Sequence, residues 1–316
     1  MKVFITQELP GNVEEYLLSK GFEVDVYRKN NIISNRELIK RAKDADGLIP
    51  LLTNSIDREV IDNLKRCQVI ANVAVGYNNI DVAYAKSKNI VVTNTPEILD
   101  DATADLTLAL ILACARRLRE GDLFVRKNKF KAWMPQLMLG VELSGKTVGI
   151  IGAGRIGIEV AKRLLPFKTK IIYYSRNRKP VFEKATGAKK VSLNALLKNS
   201  DIVSIHIPLN NNTFHMLNRE NMRLLKPTSI LVNTSRGEVI EENYLIEILK
   251  KKKIFAAGLD VYEGEPEINP ELFKLDNAFL LPHIGSATIE TRSKMAQLAA
   301  KNVAAVLSNK NPVTPV

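Results

Sequence analysis

Short β-branched and aliphatic runs alternate with amphipathic segments along the first part of the chain. Runs at 2–6, 23–27, 47–51, 69–72 and 90–93 read as strands. The segments between them, 12–19, 36–42, 57–64 and 81–87, carry apolar residues at helical spacing. This alternation predicts a mostly parallel sheet with helices on both faces. Asn94-Thr95-Pro96 then breaks the pattern, because the residue before a proline is pushed out of the helical region. A long helix is expected next, from about 101 to 128. Its first half is rich in Ala and Leu over too wide an arc for a surface helix, which predicts packing between domains or between subunits.

A second alternating unit starts at Lys146. Its strands are expected at 147–151, 170–174, 202–207, 230–233, 256–260 and 278–281, with helices at 156–165, 193–198, 219–224 and 242–250. From 288 to about 307, Met295, Leu298, Ala299, Val303, Val306 and Leu307 return at helical spacing. The fold class that follows is α/β, with two Rossmann- or flavodoxin-like domains built on parallel sheets. The second domain (96–286) is inserted into the first (1–95 plus 287–316), and the terminal helix returns to cover the first.

Composition adds limits to this pattern. A chain of 316 residues exceeds the size at which one core usually keeps growing, in keeping with two domains. The apolar run 106–115 is too short to span a bilayer, and the first strand lacks a small-residue cleavage site. A cytoplasmic protein without membrane contact is expected. Cys67 and Cys114 lie far apart in apolar surroundings with no zinc-like spacing, so buried free thiols and no metal site are expected. The net charge of +12 comes from scattered Lys and Arg, and the densest run, 250–253, closes a predicted helix where cations suit the dipole. Without a reader motif this charge does not point to nucleic acid; it draws in small anionic substrates and cofactors instead.

The sharpest local motif is Gly152-Ala153-Gly154-Arg155-Ile156-Gly157, a GxGxxG. A short glycine pattern is weak alone, but this one follows a predicted strand and opens a predicted helix, the setting of a dinucleotide site. Gly152 permits the tight turn, Gly154 lets the backbone approach a pyrophosphate, and Gly157 lets the helix close on the sheet. The helix start, with Arg155 and Ile156, offers free N–H groups to phosphate. The next strand ends Tyr174-Ser175-Arg176-Asn177-Arg178, where an NAD site usually places Asp or Glu for the ribose hydroxyls. Ser175, Arg176 and Arg178 suit a phosphate better, which predicts NADP(H) as the preferred cofactor. NAD(H) remains the alternative if these arginines are only solvated loop residues.

Three later segments place polar groups after predicted strands: Asn233-Thr234-Ser235-Arg236-Gly237, then Asp260-Val261-Tyr262-Glu263-Gly264-Glu265-Pro266, then Pro282-His283-Ile284-Gly285-Ser286-Ala287. Ligands collect at the carboxyl ends of parallel strands, so these loops are placed to converge. Together they offer a permanent cation, a carboxylate and an imidazole, the parts needed to bind a carboxylate substrate and move a proton alongside a hydride. Each also has a plain structural role open to it. Arg236 can cap a sheet edge, Glu265 can be an exposed turn residue, and His283 can cap its loop. Of the other histidines, His206 lies within an apolar strand where a satisfied hydrogen bond is expected. His215 follows Asn210-Asn211-Asn212-Thr213, a loop placed to border the cofactor.

Those segments, with Ala74-Val75-Gly76-Tyr77-Asn78-Asn79-Ile80-Asp81 and Ala102-Thr103-Ala104-Asp105, closely resemble the D-isomer-specific 2-hydroxyacid dehydrogenase family over the whole chain. Tyr174-Ser175-Arg176 and the Pro282–Thr288 segment resemble its glyoxylate/hydroxypyruvate reductase branch most. The resemblance implies reduction of a small 2-oxo acid to the D-2-hydroxy acid, in a homodimer with the helix from Asp101 at the interface. It implies that His283 is the acid/base, Glu265 its partner carboxylate, and Arg236 the residue that holds the substrate carboxylate. Leu51, Leu52, the N–H groups of Val75 and Gly76, and Ser286 would meet substrate. Thr234, Asp260 and Gly285 would meet the cofactor. It further implies closure of the substrate domain (1–95 plus 287–316) on the dinucleotide-binding domain (96–286), with Thr95-Pro96 and the stretch around Gly285 as hinges. A phosphoglycerate dehydrogenase-like enzyme and a dinucleotide-sensing corepressor are the rival readings. The former would want further basic residues in the first domain, and the latter needs no proton donor.

Overall fold

The computed structural model describes residues 1–316. Its strands are β1 (Lys2–Ile5), β2 (Glu23–Val26), β3 (Gly47–Ile49), β4 (Val69–Ala71), β5 (Val91–Thr93), β6 (Thr147–Ile151), β7 (Lys170–Tyr174), β8 (Lys189–Lys190), β9 (Ile202–Ile205), β10 (Ile230–Asn233), β11 (Ala256–Leu259) and β12 (Ala278–Leu280). The chain divides into two compact units, Met1–Leu99 with Ser286–Val316, and Asp100–Gly285.

In the first unit all neighbouring strands are parallel, in the order β2-β1-β3-β4-β5. This is the flavodoxin-like order. Strands β1, β3, β4 and β5 bury both faces, which explains their nearly continuous apolar runs, while the edge strand β2 is partly exposed. Phe4, Leu48 and Ile70 point into one core, while Ile5, Ile49 and Val69 point into the other. The terminal helix Ile289–Leu307 closes that second core with Ala296, Ala299, Ala300 and Val303. Small side chains and Gly47 let it lie close: a Cβ at Gly47 would sit 2.9 Å from Val303 Cγ1.

The second unit is also fully parallel, in the order β12-β11-β10-β9-β6-β7-β8. Counted from β6, this is the Rossmann order with one strand added at an edge, and its switch point lies between β6 and β9. Helix Asp100–Ala115 packs inside this unit. Leu110, Ile111 and Cys114 join Val148, Ile150, Val160 and Val232 in one buried cluster, so the wide apolar arc is used by the unit's own core.

The expected helix from 101 to 128 is in fact two, Asp100–Ala115 and Leu118–Arg126. Arg117 breaks it in the left-handed region, at φ 52°. Tertiary contacts fix the break. The Ala115 carbonyl accepts the Val141 N–H at 2.9 Å, and Gly140 lies against the same oxygen, where a Cβ would come to 2.2 Å. Arg117 itself turns to Glu120, at 2.6 Å. Strand β8 and the short helices Pro180–Thr186 and Pro270–Phe273 carry no apolar period and are additions to the sequence pattern. No helix is long and apolar enough to cross a membrane.

Candidate active site

The turn after β6 has the form a dinucleotide requires. Gly152 sits at φ +102°, and a Cβ there would meet the His206 carbonyl oxygen at 2.3 Å. A Cβ at Gly157 would come to 2.2 Å from the Gly152 oxygen, so the third glycine lets helix Arg155–Leu164 close onto the turn. Gly154 differs: a Cβ there would meet nothing within 4 Å, which leaves its backbone open to a ligand. Gly154 is also the N-cap and brings no side-chain cap, so the first N–H groups of the helix keep their capacity for an anion. Arg155 reaches back to Asp100 at 3.2 Å, and Ile156 is half-buried beside the helix core. The turn therefore fits a dinucleotide pyrophosphate.

No acidic residue stands at the end of β7. Ser175 donates its hydroxyl to the Asn177 carbonyl, within its own loop. Arg178 is held by Glu183 at 2.8 Å. The Arg176 carbonyl accepts the Lys190 ammonium at 3.0 Å, which brings a further cation to this loop. Of the two arginines, Arg176 is the one not engaged by a carboxylate.

The loops after β10, β11 and β12 carry Arg236, Glu265 and His283. Asn233, buried at the end of β10, shapes the first loop: its amide donates to the Arg236 carbonyl at 2.9 Å and its oxygen accepts the Ser235 N–H at 3.0 Å. The Arg236 guanidinium is half-buried and donates to the Ser235 carbonyl at 2.7 Å, with no carboxylate at ion-pair distance. Burial pulls it below its ordinary pKa, opposed by the charges of Glu265 and Glu238. A half-buried cation without a carboxylate partner has the capacity to bind an anion. Thr234, next in the same loop, pairs its hydroxyl with Thr107 at 2.9 Å.

His283 Nδ1 lies 2.7 Å from Glu265 Oε2, while Glu265 Oε1 accepts the Tyr262 N–H at 2.7 Å. Both carboxylate oxygens are thus engaged, and Nε2 of the ring makes no hydrogen bond within the chain. His283 adopts φ +52°, a strained conformation for a side chain other than glycine. Asp260 holds it there. Buried at the end of β11, it accepts the N–H groups of Ile284 at 2.7 Å and Gly285 at 2.8 Å. Burial raises the Asp260 carboxyl, opposed by those two N–H groups and the neighbouring His283. The Gly285 carbonyl in turn accepts the Thr103 hydroxyl at 3.3 Å. His206 is a different kind of group: its Nε2 bonds the Ser204 hydroxyl at 2.8 Å, and burial pushes its pKa down to about 3.

Leu52, Val75, Gly76 and Ser286 belong to the first unit. There, Asn94 donates to the Val75 carbonyl at 2.8 Å and Asn72 to the Gly76 carbonyl at 2.9 Å. The carbonyls are held, while neither N–H finds an acceptor within the chain. Asn79 ties this loop to the one after β3, donating to the Leu51 carbonyl at 3.2 Å and the Asn54 carbonyl at 3.0 Å. Leu52 stands exposed on that second loop. Asn54 and Asn72 lie outside the sequence motifs, and Asn94 enters them only as part of the break before Pro96. The signal of Asn72 and Asn94 is that a polar residue directly follows an apolar strand, and Asn54 carries none.

A family model described as "D-isomer specific 2-hydroxyacid dehydrogenase, NAD binding domain" matches residues 108–285. The glyoxylate reductase of Thermococcus litoralis is 47% identical over 315 residues, which cover 98% of this chain and 95% of that protein. A solved structure from Thermus thermophilus matches with a TM-score of 0.95 at 44% identity, covering 100% of both chains. The NADPH-dependent glyoxylate/hydroxypyruvate reductase of Sinorhizobium meliloti, solved with NADP and malonate, matches with a TM-score of 0.88 at 29% identity, covering 100% of this chain and 96% of that one. The chain belongs to the D-isomer specific 2-hydroxyacid dehydrogenase family and groups there with its glyoxylate reductases.

Proposed function

We propose that the protein reduces a small 2-oxo acid, glyoxylate or hydroxypyruvate, to the 2-hydroxy acid, of D configuration where the product is chiral. The observation that carries this reading is a half-buried Arg236 without a carboxylate partner on the same strand-end surface as a histidine–carboxylate pair. A reduced nicotinamide held at the 152–157 turn would supply the hydride. Arg236 binds the substrate carboxylate and draws electron density from the keto oxygen. Glu265 accepts the Nδ1–H of His283 and fixes the ring, and the proton to be transferred is carried on Nε2. As hydride reaches the carbonyl carbon, that proton passes to the oxygen and leaves His283 neutral. Asp260 keeps the His283 loop in its strained form. On the first unit, Leu52, Ser286 and the N–H groups of Val75 and Gly76 are assigned to the substrate.

NADP(H) is the preferred cofactor in this reading, with NAD(H) accepted. Its support is the absence of an acid at the end of β7, the presence of Arg176 there, and the NADPH dependence of the Sinorhizobium relative. The protein acts in the cytoplasm as a homodimer. Leu118, Val125, Phe130, Trp133, Met134 and Leu139, all exposed over one short stretch, support the dimer.

The test is oxidation of NADPH and NADH with glyoxylate, hydroxypyruvate and pyruvate, together with the mass in solution. Turnover with glyoxylate or hydroxypyruvate and a higher kcat/KM for NADPH are expected. His283→Ala should lower kcat by roughly 10²–10⁴-fold with cofactor affinity retained. Arg236→Gln should raise the KM for the acid roughly tenfold or more. No oxidation with any 2-oxo acid sinks the function, and a clear NADH preference sinks the cofactor assignment.

A further inference from the structure

The Tyr262–Pro266 stretch of the loop after β11 carries two carboxylates, Glu263 and Glu265, and the proposed chemistry uses one. Glu265 holds His283. Two residues earlier, Glu263 reaches a different histidine: its Oε1 lies 2.8 Å from Nε2 of His215. His215 lies in the segment that follows β9 and adopts φ +45°. That segment is tied down along its length. The Thr213 hydroxyl donates to the Pro208 carbonyl at 2.7 Å and accepts the Asn210 N–H at 2.8 Å. The N–H groups of His215 and Leu217 donate to the carbonyls of Glu238 and Val239, at 2.8 and 3.0 Å. The Phe214 ring stacks on the imidazole, with centroids 4.0 Å apart and planes 19° from parallel. Backbone and ring of His215 are therefore both fixed.

The partner loop is anchored as closely. The Glu263 N–H donates to Glu242 Oε2 at 3.1 Å, and the Tyr262 hydroxyl donates to the Leu281 carbonyl at 2.8 Å. A Cβ on Gly237 would lie 1.8 Å from the Tyr262 carbonyl carbon, so the Arg236 loop presses directly on this one. Only Gly264 separates the two carboxylates, so a shift of Glu263 is passed to Glu265. We propose that the His215–Glu263 pair is a positioning latch, which fixes this loop from the β9 side so that Glu265 stays at Nδ1 of His283. The latch rests on the reading of His283 and Glu265 as the acid/base pair. His215 and Glu263 touch no reacting atom and act through the other two.

The latch acts through geometry. The side chains of His215 and Glu263 are 32% and 33% exposed, and such a pair adds little to stability. A proton donor displaced by about 1 Å, in contrast, can cost roughly 10²-fold in rate. The surrounding charges give the pair a reason to exist. Glu242 accepts the Glu263 N–H, and its carboxyl is raised by burial and by the charges of Glu263, Glu265 and Glu238. Arg236 and Asp260 flank Glu265 and His283. Without a histidine at 215, Glu263 is left among carboxylates, and their repulsion loosens the loop.

Three histidines in the sequence make imidazole NMR titration a direct test. His206, pushed down to about 3 by burial, stays neutral over most of the range and serves as the reference. Full-length protein, without cofactor, is titrated as wild type and as Glu263→Gln, His215→Leu and His215→Gln, with circular dichroism to confirm the fold. Glu263→Gln and His215→Leu should displace the His283 ring resonances across the titration, as the Nδ1–H hydrogen bond to Glu265 loosens. His215→Gln keeps an N–H donor for Glu263 and should recover most of that shift. In turnover assays the first two should lower kcat roughly tenfold while the cofactor KM moves less than about twofold. His283 resonances unchanged in both overturn the latch, as does an equal shift in His215→Gln and His215→Leu. The titration needs no turnover. An inactive wild type therefore counts against the proposed function, while an unmoved His283 in an active protein counts against the latch alone.

Discussion

His206→Leu tests whether a half-buried neutral histidine ties the stability of the second unit to pH. His206 follows β9, bonded to the buried Ser204 hydroxyl at 2.8 Å, and its pKa falls from 6.5 to about 3. The folded state therefore refuses a proton that the unfolded chain accepts. The stability this provides is complete above about pH 6.5 and is lost as pH falls toward 3. At about pH 5 the unfolded chain gains about 2 kcal/mol from protonation, and the ring edge that still meets solvent reduces this to about 1 kcal/mol. Leucine removes the titration but leaves the Ser204 hydroxyl without its partner, at a cost of about 1–3 kcal/mol at every pH. Urea unfolding followed by circular dichroism, at about pH 7.5 and about pH 5, separates the two effects. The variant should be less stable near pH 7.5, yet lose about 1 kcal/mol less than wild type on acidification. Other carboxylates titrate alike in both proteins and cancel in the comparison. Equal losses in the two proteins would refute the reasoning.

Gly154→Ala and Gly157→Ala should separate binding from folding at the phosphate turn. The first adds a Cβ in open space and should weaken NADPH binding at nearly unchanged stability; the second meets the Gly152 carbonyl and should lose about 1–3 kcal/mol as well. Unaltered NADPH affinity by calorimetry in both would mean that the turn does not hold the cofactor. Asp260→Asn replaces one of two acceptors by a donor facing an N–H, so kcat should fall roughly tenfold or more while the fold persists; wild-type turnover would remove Asp260 from the support of His283. Cys67 and Cys114 are buried, with thiols pushed up to about 12, so a thiol reagent at mildly alkaline pH should label neither until the protein is unfolded. Rapid labelling of the folded protein would contradict that burial.

The sheets are legible in the sequence for a physical reason. Parallel strands buried on both faces need unbroken aliphatic runs, and Thr147-Val148-Gly149-Ile150-Ile151 can satisfy little else. Lys189–Lys190 has no such signature, because a two-residue edge strand with both side chains exposed needs only backbone pairing with β7. The break at Arg117 is equally invisible, since Val141, more than twenty residues later, takes the Ala115 carbonyl. Among the candidate site residues, the glycine spacing speaks for itself, because each Cβ would strike a named atom or open space. The grouping of Arg236, Glu265 and His283 needed the family resemblance, because single polar residues after strands look alike. The roles of Asn72 and Asn94 and the pairing of His215 with Glu263 are not legible, since each acts by holding another residue's backbone or side chain.

The first unit is discontinuous, and this orders events during synthesis. Its sheet needs Ala296, Ala299, Ala300 and Val303 to cover one face, and these leave the ribosome only after the whole second unit. The second unit is a single stretch, Asp100–Gly285, and holds all of its own strands by then. It can finish folding while the first unit still waits with Val3, Ile5 and Val69 uncovered. Truncation within helix Ile289–Leu307 should therefore yield nascent chains with a protease-resistant second unit and an aggregation-prone amino-terminal segment.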